Sequence, residues 1–326
     1  MKIVVFGGGT GLSILLRGLK KYTKDISAVV TVADNGGGSG VLREDLGMLP
    51  PGDMRNCIIA LSDIEPIMIK LMQHRFKGGY LNGQSFGNLL IAAMYEIFGN
   101  YENALREIGS IFRLSGKVLP MTLQDSHLKA YLDNGECILG EKDIPEFVSK
   151  SGCKIDRISL VPEICMPLEE TVKDINEADI VILGPGSLYT SVIPNILVQN
   201  IPKLIYQSNA TVFYICNLMT QPGETDNYNV YDHIAAIIKH SSRYLIDYVI
   251  VNDEVISESQ IENYKFTGAR QVTIDDEQIK KLEGMNIKVI SSNFVEIKNN
   301  YIRHNSDKIG QLLYNFTREK NKQPRK

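Results

Sequence analysis

The chain has few cysteines, few histidines, no long apolar run and no marked excess of charge of either sign. The five cysteines (Cys57, Cys137, Cys153, Cys165 and Cys216) form no CxxC pair, and their number is odd. That argues against a disulfide framework or a thiolate zinc site and for reduced, buried thiols. The five histidines (His74, His127, His233, His240 and His304) show neither HExxH nor any paired spacing, so the common zinc-site patterns are absent. No Cys–His nucleophile signature is present. No apolar stretch reaches the length of a membrane helix, and the N-terminal MKIVVF run is too short for a signal peptide, so membrane insertion is not expected and the expected location is the cytoplasm. Lysine and arginine total 35 against 38 acidic residues, and this balance does not mark nucleic acid or a membrane surface as the partner. Repeats and low-complexity segments are missing too, and only residues 318–326 read as a solvated tail.

What is present is α/β rhythm. At 326 residues and 44% hydrophobic content, the chain can build a sizeable core without staples. Ile3–Phe6 is a short, continuous apolar run bounded by glycines, which predicts a buried parallel strand. Leu12, Leu15, Leu16 and Leu19 follow at helical spacing, and Ile26–Val32 predicts a second strand. Residues 54–115 carry only helical periodicity, which predicts a helical insertion. Around 117–140 the period falls to two about Asn134-Gly135, which predicts a β-hairpin. Strands are then expected at 158–161, 180–183, 212–216, 249–251, 272–274 and 288–290, with a last helix near 307–317. The fold class expected is α/β: a single Rossmann-like domain over 1–326, built on a doubly wound, mostly parallel sheet with a helical elaboration and a β-hairpin.

Three glycine-bearing loops follow predicted strands, where open α/β sheets bind ligands. In the first, Gly7-Gly8-Gly9-Thr10-Gly11, the missing side chains let backbone approach a phosphate at a helix N-terminus. No GK[ST] follows, and Leu12 stands where the dinucleotide fingerprint needs its third glycine. In the second, Ala33 to Gly40, Asp34 and Asn35 can receive a ribose hydroxyl, hold a metal or polarise an acceptor hydroxyl, and the glycines predict a mobile loop. In the third, Leu183 to Ser191, Ser187 is a candidate helix cap, and Thr190 and Ser191 add hydroxyls. Lesser candidates are Asp53 as a helix cap in PPGDMRN, Asn88 after Gly83–Gly87, and Asn217 to Thr225 after a strand end. Tyr264 and Arg303 are candidates to complete a nucleotide pocket by stacking and by a charged fork.

Together, GGGTGLS, ADNGGGSG, PPGDMRN, GPGSLYTS, CNLMTQPGETD and YIRH resemble the bacterial gluconeogenesis factor (YvcK-type) family, relatives of the 2-phospho-L-lactate transferases. The likeness runs from Met1 to about Gln311. It implies a Rossmann-like fold, binding of UDP-sugars such as UDP-N-acetylglucosamine, and a role in cell shape on gluconeogenic carbon sources. The nucleotide-binding set expected is Gly8, Gly9, Thr10, Gly11, Leu12, Asp34, Asn35, Asn88, Gly184, Pro185, Gly186, Ser187, Thr190, Asn217, Thr225, Tyr264 and Arg303. The partners expected are a UDP-sugar or other nucleoside diphosphate, a protein partner in cell-envelope synthesis, and a second copy of the chain. The transferase relatives imply an alternative: transfer of a phospholactyl-type group with Mg²⁺, Asp34 assisting the acceptor hydroxyl. Against it, the family's usual ADDGGSSG reads ADNGGGSG here. The Asn35 amide is a poorer Mg²⁺ ligand than a carboxylate and cannot act as a base. This favours a binding protein over an enzyme.

Overall fold

The computed structural model describes residues 1–322 apart from 242–244, 258–259, 262–263, 265–267 and 299. Its centre is a seven-stranded sheet of β1 (Ile3–Gly7), β2 (Ile26–Val30), β3 (Lys117–Pro120), β7 (Ile180–Leu183), β8 (Thr211–Ile215), β9 (Tyr248–Asn252) and β10 (Lys288–Ser292). The order is β10-β9-β8-β7-β1-β2-β3, and every pairing is parallel. Both faces of the inner strands are buried. Val4, Phe6, Val181 and Leu183 pack on one side, and Ile3, Val5, Ile180 and Ile182 on the other. Two covered faces explain why these strands read as unbroken apolar runs.

The strand order reverses between β1 and β7, the neighbours that share Ile3↔Ile180 to Phe6↔Leu183. The crevice for ligands in such a sheet lies at this reversal. Helix α1 (Gly9–Leu19) leaves β1 there, and the Gly184–Ser187 turn leaves β7 beside it.

Residues 52–111 fold as α3 (Gly52–Leu61), α4 (Pro66–Gln73), α5 (Phe86–Phe98) and α6 (Tyr101–Ile111). A separate antiparallel sheet, β5-β4-β6, joins β4 (His127–Leu132), β5 (Cys137–Leu139) and β6 (Ile155–Val161).

Four sequence expectations need correction. Residues 117–120 belong to the central sheet and not to the hairpin, because the buried run Val118-Leu119-Pro120 extends it beside β2. The strand at 158–161 is part of β6 and pairs with β4, its burial alternating as expected of a sheet with one wet face. The strand expected at 272–274 is absent: the neighbouring Gln271 makes one isolated bridge to Met219. The loop expected to be mobile at 33–40 becomes helix α2 (Gly37–Leu46), initiated where Asp34 Oδ1 accepts from Gly36 N–H at 2.8 Å. Its glycine-rich start hides helical periodicity: the buried face is Ser39, Gly40, Leu42 and Arg43, with Leu42 its one large apolar side chain.

Candidate functional site

The Gly8 turn is extended, and Gly9 takes φ +64° at the start of α1. The first-turn amides of a helix lack intrahelical acceptors. Here one of them is claimed: Gly9 N–H donates to Asp53 Oδ2 at 2.5 Å. The amides of Thr10 and Gly11 lie at the same positive end of the helix, which favours an anion. The glycines are required by contact as well as by φ. A Cβ on Gly8 would stand 2.7 Å from Asp53 Oδ2, and one on Gly11 would stand 2.9 Å from the Pro185 carbonyl oxygen. The first and third loops therefore touch backbone to backbone at the switch point. Asn195, fully buried beneath them, donates from Nδ2 to Gly7 O at 3.1 Å and Ser191 O at 2.7 Å.

The third loop is held from behind by Glu224. Its carboxylate accepts from Tyr189 N–H (3.2 Å), the Thr190 hydroxyl (3.2 Å) and Gln221 Nε2 (2.5 Å). Ser187 does not cap a helix; its hydroxyl donates to Gln221 Oε1 at 2.6 Å, so it ties loop to loop. The segment after it is a π-helix, Leu188–Val192, whose first turn needs no such cap here.

Three carboxyls gather above the strand ends. Burial pushes Asp53 up to about 6, with the nearby Asp34 charge adding to the shift and the Gly9 N–H opposing it. Burial also carries Glu141 to about 7, reinforced by Asp34 and Asp53. Glu224 reaches about 7 through burial, although its hydrogen bonds pull the other way. Thr190 faces both glutamates, and its single hydroxyl proton serves one of them at a time. Such groups hold or release a proton near neutrality. Asp53 also does not cap its helix: Pro51 occupies that position, and the Asp53 side chain turns to Gly9. Sequence reasoning left all three out of the site. Asp53 and Glu224 lay within conspicuous motifs, but Glu141 follows β5 with no local signal, and only folding brings it near Asp34.

Six of the expected residues line one cleft of about 170 Å³: Gly11, Pro185, Gly186, Asn217, Tyr264 and Arg303. Asn217 Oδ1 is buried with no hydrogen-bond partner, a demand that a ligand donor would meet. His304 also lines the cleft; its Nε2–H donates to Cys216 O at 3.0 Å, and burial lowers it to about 4, keeping the ring neutral. Tyr264 is not the free surface residue that its polar neighbours in sequence suggest. It packs on Leu218, Ile256 and Ile302, and its hydroxyl accepts from Ile302 N–H at 3.1 Å. Its sequence neighbours Asn263 and Lys265–Thr267 lie outside the described residues.

Other expected residues point elsewhere. Leu12 is fully buried core. Asn88 is buried too, its Oδ1 accepting from the Arg55 guanidinium at 3.0 Å. Thr225 is fully buried, its hydroxyl accepting from Gln221 N–H at 2.8 Å. Asn35 Oδ1 accepts from Lys142 N–H at 3.0 Å, pinning the second loop to the turn after β5. Among the described residues, no group of three or more His, Cys, Asp or Glu side chains is placed to hold a metal ion. Nor is any described helix long and apolar enough to cross a membrane.

Comparison with known proteins fits this geometry. The family described as 2-phospho-L-lactate transferase CofD matches residues 3–295. A gluconeogenesis factor of Bacillus subtilis is 46% identical over 319 residues, covering 98% of each chain. One from Halalkalibacterium halodurans is 44% identical over 312 residues, covering 95% of each. A crystal structure of a Bacillus halodurans protein superposes with a TM-score of 0.91 at 43% identity, covering 96% of this chain and 98% of that one. With the Rossmann-like sheet, the glycine turns at its switch point and full-length relatives in hand, the chain belongs to the 2-phospho-L-lactate transferase CofD family, among its gluconeogenesis factors.

Proposed function

We propose that the chain is a regulatory protein that binds a nucleoside diphosphate sugar of the UDP type, such as UDP-N-acetylglucosamine. The carrying observation is the single cleft that joins the α1 N-terminus to Asn217, Tyr264 and Arg303. The diphosphate rests on the Gly11 amide at the α1 N-terminus, where the helix dipole favours an anion. Tyr264 offers a ring to the base, the orphaned Asn217 Oδ1 accepts from its N–H, and the Arg303 guanidinium forks onto an oxygen. Binding then changes how the chain acts on a protein partner in cell-envelope synthesis, in keeping with a role in cell shape during gluconeogenic growth. Isothermal titration with UDP-N-acetylglucosamine tests it. Saturable binding to the parent, lost or greatly weakened in Arg303→Ala, is expected; equal binding by both proteins overturns this pocket.

One observation favours a second reading, a phosphoryl-ester transferase of the CofD type. Asp53 at about 6 and Glu141 at about 7 are tuned for proton transfer at neutral pH, and both sit near Asp34, the candidate partner of an acceptor hydroxyl. Phosphoryl-type transfer needs positioning and charge neutralisation more than a protein nucleophile. Phosphorus NMR of protein with a nucleoside diphosphate esterified at its β-phosphate, an alcohol acceptor and Mg²⁺ separates the two: a new phosphodiester signal together with released nucleoside monophosphate supports transfer, and an unchanged donor supports binding alone.

A further inference from the structure

A second recess lies along the outer face of α1, against the ribbon of β11 (Val295–Lys298) and β12 (Tyr301–His304). Its volume is about 560 Å³, within the range of small-molecule sites and far above the roughly 30 Å³ of one water. Four cations line it, Arg17, Lys21, Lys298 and Arg303, against two carboxylates, Glu296 and Asp307. Lys21 is committed to Asp307 at 2.7 Å. Glu296 stands opposite Arg303 in the ribbon register. Among the described residues, Arg17 and Lys298 make no ion pair with a carboxylate, yet they come from elements far apart in sequence and converge on one concavity.

We propose that this recess binds a small phosphorylated metabolite of the sugar-phosphate type, independently of the nucleotide cleft. Two uncommitted cations supply the charge for a phosphate. Ser13, Asn56 and Gln73 line the same space and supply neutral hydrogen-bonding groups for hydroxyls. A bare phosphate would leave most of the volume empty, so the ligand carries an organic body. The recess and the nucleotide cleft meet at Ile14 and Arg303. Arg17 and Lys298 line the recess only, so they can be altered without touching the nucleotide cleft.

The test uses the full chain and isothermal titration with glucose 6-phosphate at low salt, with glucose and inorganic phosphate as controls. Glucose 6-phosphate is expected to bind with or without saturating UDP-N-acetylglucosamine, more tightly than either control. The Arg17→Gln/Lys298→Gln variant is expected to lose roughly 10–100-fold in that affinity, the range for lost charge-assisted hydrogen bonds, while its UDP-N-acetylglucosamine titration is unchanged. No binding by the parent, equal binding of inorganic phosphate, unaltered affinity in the variant, or competition with the UDP-sugar would each overturn the proposal. Failure of the UDP-sugar itself to bind would touch only the nucleotide reading.

Discussion

A Cβ on Gly11 would press on the Pro185 carbonyl oxygen at 2.9 Å, and backbone cannot swing aside as a flexible side chain can. Gly11→Ala should therefore part the first and third loops, costing about 1–3 kcal/mol of stability and abolishing UDP-sugar binding. Denaturant unfolding alongside calorimetry would show it, and a variant that binds normally would mean that the two loops need not touch. Gly9 differs: open space surrounds the position of its missing Cβ, and the penalty for a side chain there is its φ of +64°. Tyr264 carries two roles that substitution can separate. Tyr264→Phe removes the acceptor for Ile302 N–H, costing about 1 kcal/mol of stability, but keeps the ring and should keep nucleotide affinity. Tyr264→Ala should lose both. If Tyr264→Ala keeps full nucleotide affinity, the ring does not meet the base. The raised carboxyls also predict a pH dependence. Asp53, Glu141 and Glu224 all have folded pKa values above the usual carboxylate range, so the fold favours their protonated forms. Their contribution is complete below the unfolded values near 4 and declines as pH rises through about 6–7. The ligand-free protein should lose stability between about pH 4 and 7 from this source. Glu141→Gln should flatten that decline by on the order of 2 kcal/mol, read from melting curves at several pH values. An identical slope in the variant would remove Glu141 from the cluster.

Among elements, α1 and the C-terminal helix, Ser306–Lys322, approach closely through glycines. A Cβ on Gly18 would overlap the Ser306 carbonyl, and one on Gly310 would lie 2.9 Å from the Tyr22 ring. Gly18→Ala should push the helices apart and cost about 2–3 kcal/mol, measured as a lower denaturant midpoint. A neutral result would mean that the C-terminal helix yields freely. Helix α2 depends on Arg43, whose buried guanidinium donates to Asp34 O at 3.2 Å and Ser126 O at 2.7 Å and pairs with Asp125. This one side chain joins the second glycine loop to the segment before β4. Periodicity made α3 to α6 readable, but a glycine-rich start and a buried arginine gave α2 no such signature. The same limit hid the partners of β3 and β6. An apolar run announces burial, and strand neighbours are chosen by the packed molecule.

At the scale of the molecule, a ligand that binds only the folded state should raise stability. At 100 times its dissociation constant, UDP-N-acetylglucosamine should add about 2.7 kcal/mol, with a matching rise in melting temperature. GDP-sugars and NAD in parallel would rank the base, and no shift with any nucleotide would sink the nucleotide reading.

Local chemistry along the chain was enough for the α/β class, for the first strands and for the three glycine loops. Continuous β-branched runs, helical leucine spacing and glycine at strand ends are properties of short segments. Six of the expected residues, from Gly11 to Arg303, do share one cleft. Tertiary structure alone decided the rest. It turned Asn88 and Thr225 inward to bond Arg55 and Gln221, and gave Tyr264 a packing role beside its place in the cleft. It brought Glu141 to the carboxyls of loops distant in sequence. Burial and the approach of remote charges set those protonation states, and both arise only when far-separated segments exclude water together.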